Sequence, residues 1–147
     1  MKHAGRTMLA AALLAWGGAV VAQEHPYTEG QVVEVTSVKV KDGQFENYMK
    51  FLDGPYKASM EAAKKAGLVT DYGVYGAQAH NPNEADLYLV VFYPNMAVFD
   101  GMQAKMDAIT AKATGLSVAQ AEKASGERSE TMRTLLGQEQ LRELKLH

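Results

Sequence analysis

Leu87-Tyr88-Leu89-Val90-Val91-Phe92-Tyr93 is the stretch that decides the fold. It is rich in aromatic and β-branched residues, and Pro94-Asn95 ends it, so it reads as a strand. Side chains alternate between the two faces of a strand. One face therefore receives Leu87, Leu89, Val91 and Tyr93, and the other Tyr88, Val90 and Phe92. Both sets are apolar or aromatic, whereas a sheet with one wet face alternates more cleanly. Residues 32–40 read as a second strand of this kind, with valines on each face interrupted by Glu34 and Lys39.

Working outward, residues 23–30 are polar and contain Pro26 and Gly30, which suggests an extended lead-in. Asp42-Gly43 closes the strand at 32–40. Residues 44–66 carry Phe45, Met49, Leu52, Tyr56, Met60 and Ala63 at steps of three and four, the spacing of one helix face. Gly54-Pro55 interrupts this pattern and predicts a kink or a restart, with Asp53 available as a cap, in a bent single element. Gly67 stops it. Residues 68–79 read as the next strand, and Asn81-Pro82-Asn83 as a turn. After the 87–93 strand, Asn95 is placed to cap a helix over 96–113, with Phe99, Met102, Met106 and Ile109 as its apolar stripe. Residues 117–136 read as a further helix ended by Gly137, with Ser117 and Gln120 spaced as a capping box. Residues 140–146 read as a last strand, with a helical tail as the alternative.

The order is strand, helix, strand, strand, helix, extra helix, strand. That is the split β-α-β pattern of an α+β, ferredoxin-like domain: a four-stranded antiparallel sheet with its helices on one face. Helices on one face leave the other apolar face to be covered. A second copy of the same sheet, packed face to face as a homodimer, covers it most economically. The alternative is a monomer whose extra helix folds across it.

The first 22 residues carry a different message. Lys2 and Arg6 precede an apolar run from Met8 to Trp16, and Val20-Val21-Ala22 places small residues before Gln23. This is the plan of a secretory signal cleaved at about Ala22-Gln23, and its apolar part is shorter than the roughly 20 residues that span a bilayer. The expected mature chain, residues 23–147, forms one domain that is exported, periplasmic and free of the membrane. It has 13 basic and 17 acidic side chains, a net charge of −4 against −2 for the whole chain. Without a basic stripe interleaved with aromatics, it lacks the footprint of a nucleic-acid binder. Cysteine is absent, which excludes disulfides, thiolate metal sites and a cysteine nucleophile.

This layout resembles the dimeric α/β barrel superfamily, which includes antibiotic-biosynthesis-type monooxygenases, muconolactone isomerases, stress-responsive barrel proteins and chlorite-dismutase-like haem proteins. Tyr27-Thr28-Glu29-Gly30, Phe45-Glu46-Asn47-Tyr48-Met49 and Leu141-Arg142-Glu143-Leu144 further resemble a group of small exported bacterial proteins of unknown function. The resemblance implies fold and export. Its chemistries are unrelated to one another, so it implies no single reaction.

Candidate site residues follow from chemistry. Tyr72, Tyr75, Tyr88 and Tyr93 fall in the second and third strands, and tyrosine suits a pocket for a flat, apolar ligand. The competing reading is that they fill the core or a dimer interface. Asp71 is unusual within a strand. If buried, its pKa rises and it becomes a candidate general base; otherwise it marks a strand end or pairs with a surface cation. His80 is a candidate base or ligand, or a plain loop histidine near Glu84 and Asp86. Arg128, Arg133 and Arg142 read as solvated charges, with anion binding as the alternative. Met49, Met60, Met102, Met106 and Met132 read as core filler. No metal-ligand spacing, glycine-rich phosphate loop or nucleophile elbow is present. These features favour a small-molecule-binding or stress-related module without a cofactor. A cofactor-independent monooxygenase or isomerase acting on an aromatic or polyketide-like compound is the first alternative, and a haem-dependent relative the second.

Overall fold

A computed structural model describes residues 25–147. The expected signal segment and its expected cleavage at Ala22-Gln23 lie outside the described residues.

Four strands form one antiparallel sheet: β1 (Tyr27–Val40), β2 (Asp71–Gly76), β3 (Leu87–Tyr93) and β4 (Arg133–Leu146), in the spatial order β2-β3-β1-β4. This α+β arrangement is compatible with a ferredoxin-like fold. Register fixes the faces. Val38 lies opposite Leu87, Thr36 opposite Leu89, and Glu34 opposite Val91. Tyr72 faces Val91 and Val74 faces Leu89 on the other side of β3. These residues share the helix-covered face.

The helical layer begins with α1 (Phe45–Phe51) and α2 (Lys57–Lys65), joined by a π-helical turn over Leu52–Tyr56. The element is continuous through Gly54-Pro55, as the apolar spacing implies. Proline cannot donate its backbone nitrogen and crowds the preceding turn. The chain answers by widening that turn, so that the Lys57 N–H reaches back to the Leu52 carbonyl, five residues away. Asp53 does not cap a restart; its carboxylate pairs with Lys57 at 2.9 Å. Tyr48, Leu52, Val38, Val40 and Leu87 form one buried cluster, with Met49 and Met132 against it. Ala63, Val69 and Val91 form a second, with Met60 and Met106 against it. Burying one such aliphatic side chain is worth about 1.5–3 kcal/mol, so these two clusters hold helix to sheet.

Several boundaries differ from the sequence reading. β1 starts at Tyr27, inside the expected lead-in, because its edge pairs with β4 as far as Leu146. β2 is shorter than 68–79. The helix expected over 96–113 is a 3-10 turn (Met96–Phe99) followed by α3 (Met102–Thr114). Gly101 sits between them at φ 67°, a left-handed conformation that breaks the helix and that glycine adopts without penalty. Asn95 makes no side-chain capping bond. The largest correction is at 117–136. α4 (Val118–Thr131) opens with the expected Ser117–Gln120 capping box but ends at Met132, and Leu135 and Leu136 belong to β4. Long-range pairing overrides local propensity here. Arg133 pairs with Val40, and a bulge at Leu136 lets Gly137 continue opposite Ser37. The helical-tail alternative for 140–146 is thereby excluded, since these residues are paired strand. Among the described residues, no helix is long and apolar enough to cross a membrane.

Candidate functional site

The sheet divides the four strand tyrosines into two pairs. Tyr72 and Tyr93 lie on the helix-covered face and pack on the second buried cluster. The Tyr93 ring meets Phe99 at 4.8 Å. Burial, with the Glu34 carboxylate beside it, raises the Tyr93 hydroxyl to about 12. The Tyr72 hydroxyl donates to Glu61 Oε1 at 2.6 Å, and this bond raises its pKa to about 12. Tyr75 and Tyr88 lie directly opposite each other on the uncovered face, 53% and 36% exposed. The Tyr75 ring lies across Gly73, where a Cβ would come within 2.8 Å of a ring carbon. Only glycine admits that ring position.

Asp71 is the first residue of β2 and is exposed, with its carboxylate 2.9 Å from Lys64 Nζ. That bond, aided by the Tyr72 backbone N–H, holds the carboxyl below its ordinary value, the opposite of what a buried general base requires. The His80 side chain is 81% exposed, with Nδ1 3.6 Å from Glu84. Asp71 and Tyr72 share an open polar hollow of about 390 Å³ with Glu61, Lys64 and Tyr56. Tyr75, Tyr88, Tyr93 and His80 are not among the residues lining it. Among the described residues, no group of three or more His, Asp or Glu side chains is placed to hold a metal ion.

A better-formed cavity, about 420 Å³, lies within the helical layer. The α1–π–α2 element contributes Phe51, Pro55, Tyr56, Ser59 and Met60; α3 contributes Met106, Thr110 and Thr114; and α4 contributes Ala121, Ala124 and Arg128, with Leu116 closing one end. Its size falls within the usual range for small-molecule sites, and its walls are mainly apolar with a few polar groups. The π-turn helps to build it. Ser59 Oγ donates to the Pro55 carbonyl at 3.0 Å, four residues back, which turns its hydroxyl onto the backbone. Tyr56, at the end of that turn, lines both the polar hollow and this cavity. Its hydroxyl is buried without a hydrogen-bond partner among the described residues. Burial, reinforced by neighbouring Tyr93 and Tyr48, pushes its pKa well above the ordinary phenol value, so it stays a neutral donor.

Arg128 supplies the cavity's charge. Its guanidinium carbon lies 4.0 Å from the Phe51 ring centroid, while Nε is buried and unpartnered. Desolvation, and then repulsion from Arg133, lower its pKa. Arg133 is only 7% exposed, sits over Tyr48 at 5.8 Å, and reaches Ser125 Oγ with Nη2 at 3.4 Å. Neither arginine is ion-paired among the described residues, whereas Arg142 pairs with Glu29 at 3.2 Å. Reading Arg128 and Arg133 as solvated charges is therefore corrected: the turn of α4 into β4 draws both into the protein.

Tyr56 and Arg128 were the residues hardest to single out from sequence. The available signals were a tyrosine next to an in-helix proline, and an arginine, Arg128, with no acid three or four residues away on its helix. Comparison with known proteins gives no match: no family model, no curated protein and no solved structure resembles the chain closely enough to place it.

Proposed function

We propose that this chain is an exported small-molecule-binding protein of the dimeric α/β barrel kind, with an apolar ligand seated among its helices. One observation carries the binding reading. The 420 Å³ cavity has mainly apolar walls, and Arg128 is the one charged residue in its lining, with no carboxylate beside it there. Apolar walls with a few polar groups are the usual make-up of a small-molecule site.

The pairing of two copies rests on the uncovered sheet face. Val33, Val35, Val90 and Phe92 lie there, flanked by Tyr75, Tyr88 and Leu141. Tyr75 and Leu141 are about half exposed, and all of the described helices that bury the sheet do so from the other side. A second copy offers a face of the same chemistry, as an isologous dimer requires.

The test is titration of the purified protein with 2-naphthalenemethanol, a neutral apolar probe, by calorimetry, with solution mass measured in parallel. Saturable binding of one probe per chain, lost when Ala124→Trp fills the cavity, supports the reading. No binding of this probe, or of a charged probe with the same ring, at any accessible concentration removes it. A monomeric mass at high concentration removes the dimer independently.

A further inference from the structure

Resting on the cavity reading above, we infer that the ligand is an organic carboxylate: an apolar body inside the helical cavity, with its carboxylate held on the edge of the Arg128 guanidinium. The cavity volume bounds the body. At about 420 Å³ it lies within the usual range for a small-molecule site.

The head group follows from what Arg128 already does. Its guanidinium carbon lies over the Phe51 ring, 4.0 Å from the centroid. Nε is sealed from solvent and from the cavity. The two Nη groups are the donors left for a ligand, at the outer edge of the guanidinium plane. A guanidinium edge is a planar fork that matches a carboxylate with two parallel bonds. A neutral carbonyl or hydroxyl satisfies one donor but leaves the charge uncompensated.

Charge points the same way. Arg133 stands close enough to repel Arg128, and it too has a buried, unpartnered Nε. One half-buried and one buried cation with no ion-paired acid among the described residues are an unusual arrangement, since a charge removed from water needs a counter-charge. The cavity lining contains no carboxylate of its own. An amine ligand is repelled there, and a carboxylate supplies the missing sign.

Three probes with one ring body separate the possibilities: 2-naphthoate, 2-naphthalenemethanol and 2-naphthylmethylammonium, each titrated into the full protein. The expected result is at least tenfold tighter binding of naphthoate than of the alcohol, and the weakest binding for the ammonium probe. Arg128→Gln is expected to weaken naphthoate at least fivefold more than it weakens the alcohol, bringing the two within twofold of each other. Arg142→Gln, outside the cavity, is expected to keep the preference. If the alcohol binds and naphthoate binds no tighter, the carboxylate inference is overturned and the cavity reading stands. If no probe binds, the cavity reading itself has failed. If Arg128→Gln does not fold, the wild-type preference among the three probes still decides the matter.

Discussion

Replacing Tyr56 with phenylalanine should stabilise the unliganded protein. The substitution removes one oxygen atom and keeps the ring, with its edge-on contact to Tyr72 at 6.2 Å. The oxygen removed is buried and has no hydrogen-bond partner among the described residues. An unpaired buried hydroxyl costs about 1–3 kcal/mol on mutational scales. Tyr56 as a whole is only half-buried, which places the gain near the lower end, about 1 kcal/mol. With a urea m value of about 1–3 kcal/mol/M, the midpoint should rise by about 0.3–1 M. Thermal unfolding should shift upward by roughly 3–6 °C for a chain of this length. Urea denaturation followed by circular dichroism measures the gain, with an unchanged slope as the control. A loss of 1 kcal/mol or more would refute the reasoning, because it would mean that the hydroxyl already has a partner worth keeping.

Three further outcomes follow from the same structure. Asp86 accepts from Lys39 Nζ at 3.0 Å and from the Val40 N–H at 2.8 Å, tying the loop before β3 to the end of β1. Asp86→Ala should cost about 1–3 kcal/mol in urea melts. Burial opposes ionisation of Asp86, but those two bonds outweigh it and lower its pKa below 3.8; its contribution is therefore present above that value and is lost as pH falls through the folded pKa, and an acid midpoint unchanged in the variant would contradict this. At high pH the sign reverses. Tyr93 is raised to about 12, and Tyr48 and Tyr56 are also raised by burial. The fold thus favours their neutral forms, a contribution complete below the unfolded value of 10 and lost as pH climbs towards 12. Part of the phenolate absorbance should appear only together with loss of helical circular dichroism; full phenolate absorbance with the helices intact would count against it. Val90→Glu places a charge in the middle of the uncovered face and should halve the solution mass measured by sedimentation, with little change in helical signal.

What the sequence displayed was pattern, and pattern carried the architecture. The alternation in Leu87–Tyr93 assigns the same two sets of side chains that the register assigns, with Leu87 and Val91 buried beneath helices and Tyr88 exposed. The apolar spacing across Gly54-Pro55 kept α1 and α2 as one element, and Ser117 with Gln120 fixed the start of α4. Errors gathered where distant pairing decides the outcome. Residues 133–136 have no local reason to leave a helix. They leave because the edge of β1, from Tyr27 to Val40, needs a partner along its length. Gly101 was an omission of another kind, a single left-handed residue hidden within a helical stripe.

The candidate site was less legible for a physical reason. Its character comes from what its residues lack, and an absent partner leaves no mark in a sequence. Asp71 and His80 attracted attention by residue type, yet one is neutralised by Lys64 and the other stands in solvent. Arg128 looks like any surface cation on α4 until that helix is laid across Phe51, with Arg133 turned in behind it. The same chain reversal that defeats a helical reading of 133–136 is what brings Arg133 under α4 and leaves both guanidiniums without an acid. Fold and site are therefore coupled at one point, the junction of α4 and β4. A substitution that straightens this junction should remove the anion preference of the cavity without touching any residue that lines it.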